Sequence, residues 1–76
     1  MAEAFIFIKT EFLREEETLK AVRKIDGVEE DYNVLGKYDI VTKVSTPSRE
    51  ELENGVWTDI RKLDYVKYTL TMRIIE

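Results

Sequence analysis

The sequence predicts an α+β domain made of two βαβ halves, and three observations carry that expectation. First, Arg23-Lys24-Ile25-Asp26-Gly27-Val28 returns 38 residues later as Arg61-Lys62-Leu63-Asp64-Tyr65-Val66, half the length of the 76-residue chain. In each copy, basic residues and a last apolar residue close a helix, Asp turns the chain and Val opens a strand. Second, stretches with strand-like alternation flank stretches of helical apolar periodicity in the order β-α-β-β-α-β. Third, 76 residues suffice for one domain only, placing residues 1–76 in a single unit.

Ala4-Phe5-Ile6-Phe7-Ile8 is the first predicted strand, from its β-branched and aromatic content. Ala4, Ile6 and Ile8 share one face, and Phe5 and Phe7 the other, so both faces are apolar. Arg14 to Ile25 follows as an amphipathic helix with Leu19, Val22 and Ile25 on one stripe. Glu15, Glu16 and Glu17 occupy its first turn and Arg23 and Lys24 its last, matching the helix dipole. The glutamate run resembles a metal cluster, but consecutive helical residues diverge, which favours a solvated helix start.

Asp26-Gly27 ends this helix, with Gly27 suited to a left-handed position. Val28 to Leu35 and Tyr38 to Ser45 are the second and third strands, joined as a hairpin at Gly36-Lys37 with type II′ character. Ser48-Arg49-Glu50-Glu51 has the pattern of a capping box opening the second helix. Leu52, Val56, Ile60 and Leu63 form that helix's buried stripe with Trp57 beside it, and Asn54-Gly55 predicts an irregularity. Tyr65 to Ile75 is the last strand, with Val66, Tyr68, Leu70, Met72 and Ile74 facing one way and Lys67, Thr69, Thr71 and Arg73 the other.

Right-handed crossovers interleave the two halves into a four-stranded antiparallel sheet with both helices on one face, the ferredoxin-like sandwich. The first strand is then central, and Phe5 and Phe7 point to the open side of the sheet. A second subunit packed there is the economical cover, making Phe5 and Phe7 the expected oligomer interface. The size argues the same way. A chain this short buries only about 60% of its unfolded surface, and without Cys or His self-association is the common remaining support.

Composition narrows the function. The absence of Cys and His removes Ser-His-Asp and Cys-His nucleophilic machinery and the usual zinc sites, and no pattern calls for a cofactor. A net charge of −4 argues against direct nucleic-acid binding. No apolar run approaches the roughly 20 residues of a membrane span, so a soluble cytoplasmic protein is expected. Charged residues at 37%, rich in Glu, Lys and Arg with no Gln, fit a thermophilic source as well as an ordinary acidic domain.

Ile25-Asp26-Gly27-Val28, then Val34-Leu35-Gly36-Lys37-Tyr38-Asp39-Ile40-Val41, then Val66-Lys67-Tyr68-Thr69-Leu70-Thr71 resemble the effector-binding (RAM) domain of the leucine-responsive regulatory protein/AsnC family. The resemblance runs from Ala4 to Ile75, and the G-x-Y-D hairpin with the Thr-Leu-Thr end is its most specific part. Regulators of that family carry an N-terminal helix-turn-helix domain, whereas this chain begins at the first strand. The resemblance therefore implies a stand-alone effector-binding domain. It also implies dimers through the sheet faces, rings of dimers, and small amino-acid effectors bound between dimers, with a full-length family regulator as a possible partner.

The candidate ligand residues are Leu35, Gly36, Lys37, Tyr38, Asp39, Thr69 and Thr71. Gly36 admits a ligand close to backbone N–H groups, which can hold a carboxylate. Asp39 can accept from an α-ammonium, Tyr38 can wall the pocket, and the two threonines offer hydroxyls. Each also has a structural explanation. Gly36 suits the turn, Asp39 a hairpin cap or a pair with Lys37, Tyr38 an interface, and Thr69 and Thr71 a strand; Trp57 suits core or a subunit contact. The leading expectation is a non-enzymatic regulatory module binding a small amino acid at subunit interfaces of a homo-oligomer. A small dimeric ferredoxin-like enzyme, monooxygenase- or isomerase-like, is the alternative, with only Trp57, Arg73 and Asp39 to carry chemistry.

Overall fold

The alternating and periodic segments fold as β1 (Ala2–Thr10), α1 (Glu15–Arg23), β2 (Val28–Asn33), β3 (Ile40–Thr46), α2 (residues 49–61) and β4 (Val66–Arg73) in a computed structural model that describes residues 1–75. The sheet is antiparallel in the order β2-β3-β1-β4, so β1 is central as expected. Ala4, Ile6 and Ile8 of β1 and Ile40 and Val44 of β3 pack against Leu19 and Val22 of α1 and Leu52, Val56 and Ile60 of α2. Both helices thus cover one face, giving the ferredoxin-like sandwich. Leu63, placed in the buried stripe by its spacing, is only partly covered, at the margin of this core.

The repeat is reproduced in backbone hydrogen bonds. Ile25 N–H donates to Val22 O at 3.1 Å and Val28 N–H to Ile25 O at 3.3 Å, while Leu63 N–H donates to Ile60 O at 3.2 Å and Val66 N–H to Leu63 O at 3.3 Å. These tight turns shorten α1, which ends at Arg23 rather than Ile25. Apart from Ile25 against Leu63, the copies differ at their fifth residue, Gly27 against Tyr65. Gly27 has φ +99°, and a Cβ there would lie 2.7 Å from Val56 Cγ2, so this turn needs both the freedom and the missing side chain.

Three local features depart from regular geometry. In α2 the irregularity is a π-helical turn over Leu52–Val56, where Trp57 N–H bonds to Leu52 O, five residues back. The Thr58 hydroxyl donates to Glu53 O at 3.1 Å alongside it, and Ser48 Oγ caps the helix start by accepting from Glu51 N–H at 3.2 Å. In β4 the register slips where Lys9 pairs with Tyr68 but Thr10 pairs with Val66, leaving Lys67 as the extra residue. The slip moves Val66 to the core side, away from Tyr68, Leu70 and Met72, with which alternation had grouped it.

The third departure is the hairpin. β2 stops at Asn33 and β3 starts at Ile40, so Leu35 and Tyr38 lie outside the strands that the sequence extended through them. The last cross-link runs from Val34 N–H to Asp39 O at 2.9 Å, which centres the connection on Gly36-Lys37. Gly36 has φ +124°, the positive value that a glycine-first turn requires. β2 is an edge strand, so Leu35 has no packing partner beyond it and is fully exposed.

Candidate functional site

The open sheet face is set by strand pairing. On it β1 presents Phe5 and Phe7, paired with Met72 and Leu70 of β4 and with Lys43 and Val41 of β3. Phe5 is 38% exposed, Leu70 42% and Met72 53%, against zero for Ala4, Ile6 and Ile8 one residue away on the same sheet. Tyr38 folds over this face, with its ring edge-on to Phe7 at 5.7 Å and to Tyr68 at 5.9 Å. Ion pairs of Lys9 with Asp39 at 3.5 Å and of Lys43 with Glu29 at 3.9 Å lie along its margin. The result is a contiguous apolar surface with a charged rim, of the kind that soluble monomers rarely leave bare.

Asp39 sits at one end of this surface, and its partners differ from those expected. Its carboxylate bonds neither a turn amide nor Lys37. Instead Oδ2 accepts from Thr10 N–H at 2.9 Å and from the Thr10 hydroxyl at 3.0 Å, with Lys9 Nζ at 3.5 Å. Burial alone would raise the Asp39 pKa, but the bonds from Thr10 and the charge of Lys9 outweigh it and hold the carboxyl below its ordinary value. Asp39 is therefore a firmly ionised group whose contacts fall on one oxygen. Oδ1 accepts no hydrogen bond among the described residues, so a cationic donor has an acceptor to meet there. Gly36 is open, with nothing within 4 Å of where a Cβ would sit, and Leu35 and Lys37 project into solvent.

Thr69 and Thr71 lie on the other side of the sheet. They pair with Ile8 and Ile6 and so share the helix-covered face. Thr69 Oγ1 accepts from Trp57 Nε1 at 3.3 Å, and the Arg61 guanidinium lies over the Trp57 ring at 4.8 Å. Thr71 lines a groove of ≈ 470 Å³ between the π-turn and β4, together with Leu52, Glu53, Trp57, Arg73 and Ile75. Its hydroxyl is buried with no partner among the described residues. Within one subunit Tyr38 thus lies on the open face and Thr69 and Thr71 on the helix-covered face, with Asp39 bonded to Thr10 at the end of β1. Of the three residues weighed for an enzyme, Trp57 and Arg73 share this groove while Asp39 lies at the far end of β1.

Sequence reasoning missed Thr10 and Lys9 as partners of Asp39. It also grouped Tyr68, Leu70 and Met72 correctly but without assigning them to the open face. The signal was present: once β1 is central, antiparallel pairing sets β4 residues opposite Phe5 and Phe7. Among the described residues no cluster of acidic, His or Cys side chains is placed to hold a metal ion, and no helix is long and apolar enough to cross a membrane.

The fold has close counterparts. A crystal structure of the protein FFRP-DM1 is 33% identical, covers 99% of this chain and 100% of its own, and superposes with a TM-score of 0.93. AsnC of E. coli is 25% identical with a TM-score of 0.90, the match covering 99% of this chain and 51% of that one. A Neisseria meningitidis transcriptional regulator, NMB0573, solved as its L-Met complex, shares the fold at 16% identity and a TM-score of 0.84, over 99% of this chain and 50% of its own. No curated protein sequence matches significantly. Residues 3–76 match the Lrp/AsnC ligand binding domain, and the chain belongs to that family.

Proposed function

We propose that the chain is a non-enzymatic regulatory module that binds a small amino acid between copies of itself. Phe5, Phe7, Leu70 and Met72 bring two subunits together through their open sheet faces, and further contacts join such dimers into a ring. The effector's α-ammonium meets Asp39 Oδ1, its carboxylate meets backbone N–H groups near Gly36, and Tyr38, Leu35 and Lys37 border the pocket. Thr69 and Thr71 come from a neighbouring subunit. The observation carrying this reading is the separation of Tyr38, on the open face, from Thr69 and Thr71, on the helix-covered face, which favours a site that draws on two copies. The L-Met complex of the neisserial regulator supports an amino acid as the ligand.

Binding at an interface supplies a mechanism for regulation. A ligand that prefers one assembly shifts the population toward it by its differential affinity. The same change can alter association with a full-length regulator of the family, whose ligand-binding half has this fold. No step of this mechanism requires a cofactor, membrane or nucleic acid, and it suits a cytoplasmic protein.

Thermal shifts against the twenty amino acids, with solution mass followed in parallel, test the proposal. One or a few should raise the melting temperature and change the mass, and Asp39→Ala should remove both effects. An unchanged melting temperature with every amino acid, or an Asp39→Ala variant that responds as the parent does, overturns the effector role.

A further inference from the structure

The β1–α1 turn presents two apolar side chains with no packing partner. Phe12 is 87% and Leu13 73% exposed, and Leu13 has φ +64°, an unusual conformation for a bulky residue. The turn is nonetheless held at both ends. Glu11 N–H donates to Tyr65 O at 2.8 Å, Arg14 N–H donates to Glu11 O at 3.0 Å, and the Arg14 guanidinium lies over the Tyr65 ring at 4.9 Å. A fixed backbone that displays Phe and Leu to water is organised for contact, because the ordering cost of binding is largely met in advance.

The groove lined by Leu52, Trp57, Thr71, Arg73 and Ile75 is mainly apolar and unfilled within the subunit. Phe12 lies beyond Thr10, which pairs with Val66 at the start of β4, whereas the groove adjoins Thr71 and Arg73, opposite Ile6 and Ala4. Four to six strand residues separate them, about 13–20 Å, along a molecule 34 Å long. A subunit therefore cannot fill its own groove with its own turn. The charges complement one another. Glu11 lies in the turn and Glu15 and Glu16 open α1 beside it, with Glu16 engaged by Lys20 at 3.9 Å and Arg14 held by Glu17 at 2.7 Å. At the groove Glu53 is engaged by Arg49 at 3.2 Å, and Arg73 has no ion-pair partner among the described residues.

We infer that the Phe12–Leu13 turn of one copy seats in the α2–β4 groove of the next, with Glu11 beside Arg73. This goes beyond the effector reading, because it assigns the contact that joins sheet-face dimers. The contact is heterologous: every subunit has one turn and one groove, on surfaces away from the open sheet face. Phe12 brings roughly 150–250 Å² of apolar surface to the groove.

The test uses the full chain at micromolar concentration by sedimentation or mass photometry. The parent should form a species larger than a dimer, while Phe12→Asp and Ile75→Asp should each fall to the dimer; both sites are exposed, so folding is preserved. Mixing these variants should restore the larger species, because one retains its groove and the other its turn. Glu11→Arg and Arg73→Glu should each weaken assembly roughly tenfold, and the double exchange should recover it. A parent that stops at the dimer, a Phe12→Asp variant that keeps the larger species, or variants that fail to complement on mixing would overturn the inference.

Discussion

The two faces of β1 are both apolar, yet they have different fates. Ala4, Ile6 and Ile8 are fully buried beneath α1 and α2, whereas Phe5, one residue along, is 38% exposed. Phe7 lies between Val41 and Leu70 of the neighbouring strands with the Tyr38 ring 5.7 Å away. A strand needing one apolar face and carrying two is what the proposed sheet-face dimer would use. In the proposed assembly, the covered face accounts for how the chain folds and the open face for what it meets. The proposed division gives a 76-residue chain without cysteine a reason to keep large aromatic side chains on its surface.

The comparison is broken most directly by substituting each face separately. Ile6→Ala removes buried volume at the centre of the core and should lower stability by about 2–5 kcal/mol. That is a large share of the roughly 4–11 kcal/mol expected for a domain this size, and the loss should appear at every protein concentration. Phe7→Glu should instead leave a folded monomer whose melting temperature no longer rises with concentration, as that of a dimer does. Denaturant melts over a hundredfold concentration range distinguish the two. Equal concentration dependence in both variants would show that the faces do not divide the work in this way.

Gly27→Ala comes next and acts on the covered side alone. The left-handed backbone costs an alanine about 1–2 kcal/mol, and the 2.7 Å approach to Val56 Cγ2 forces α2 outward in addition. The expected loss is about 2–3 kcal/mol in denaturant melts, without change in the dimer mass at matched folded concentration. A smaller loss than that of an exposed-site alanine would mean that the turn can relax away from α2.

These contrasts show what the sequence could carry. The element order, the buried Ala4-Ile6-Ile8 row and the role of Gly27 were legible because each depends on a local period or a backbone rule. The slip at Lys67 was not, because a bulge is decided by pairing between β1 and β4 and leaves ordinary residues in place. Alternation carried through that slip assigned Val66 to the wrong face. The irregularity at Asn54-Gly55 was visible, but its π-helical form depends on how α2 packs Leu52, Val56 and Ile60 on the sheet. At the candidate site, the residue types of the hairpin were evident and their partners were not. Asp39 bonds Thr10, 29 positions away, and no local pattern links the two.

Asp39→Asn tests this hidden link and has the smallest expected effect. The carboxylate joins the end of β1 to the hairpin, where the covered and open faces meet. Its folded-state pKa is depressed, so the stabilisation is complete above the unfolded value of roughly 3.9 and is lost as pH falls through the folded value. Asparagine retains one acceptor oxygen for Thr10 but loses the charge facing Lys9, for a cost of about 1 kcal/mol at neutral pH. In acid the parent loses the same contribution, so the two stability curves should converge there. Urea melts across the acid limb provide the measurement. Curves that stay parallel would show that the Thr10 and Lys9 contacts do not stabilise the charged form, and would leave Asp39's ionised state without a structural purpose in the free subunit.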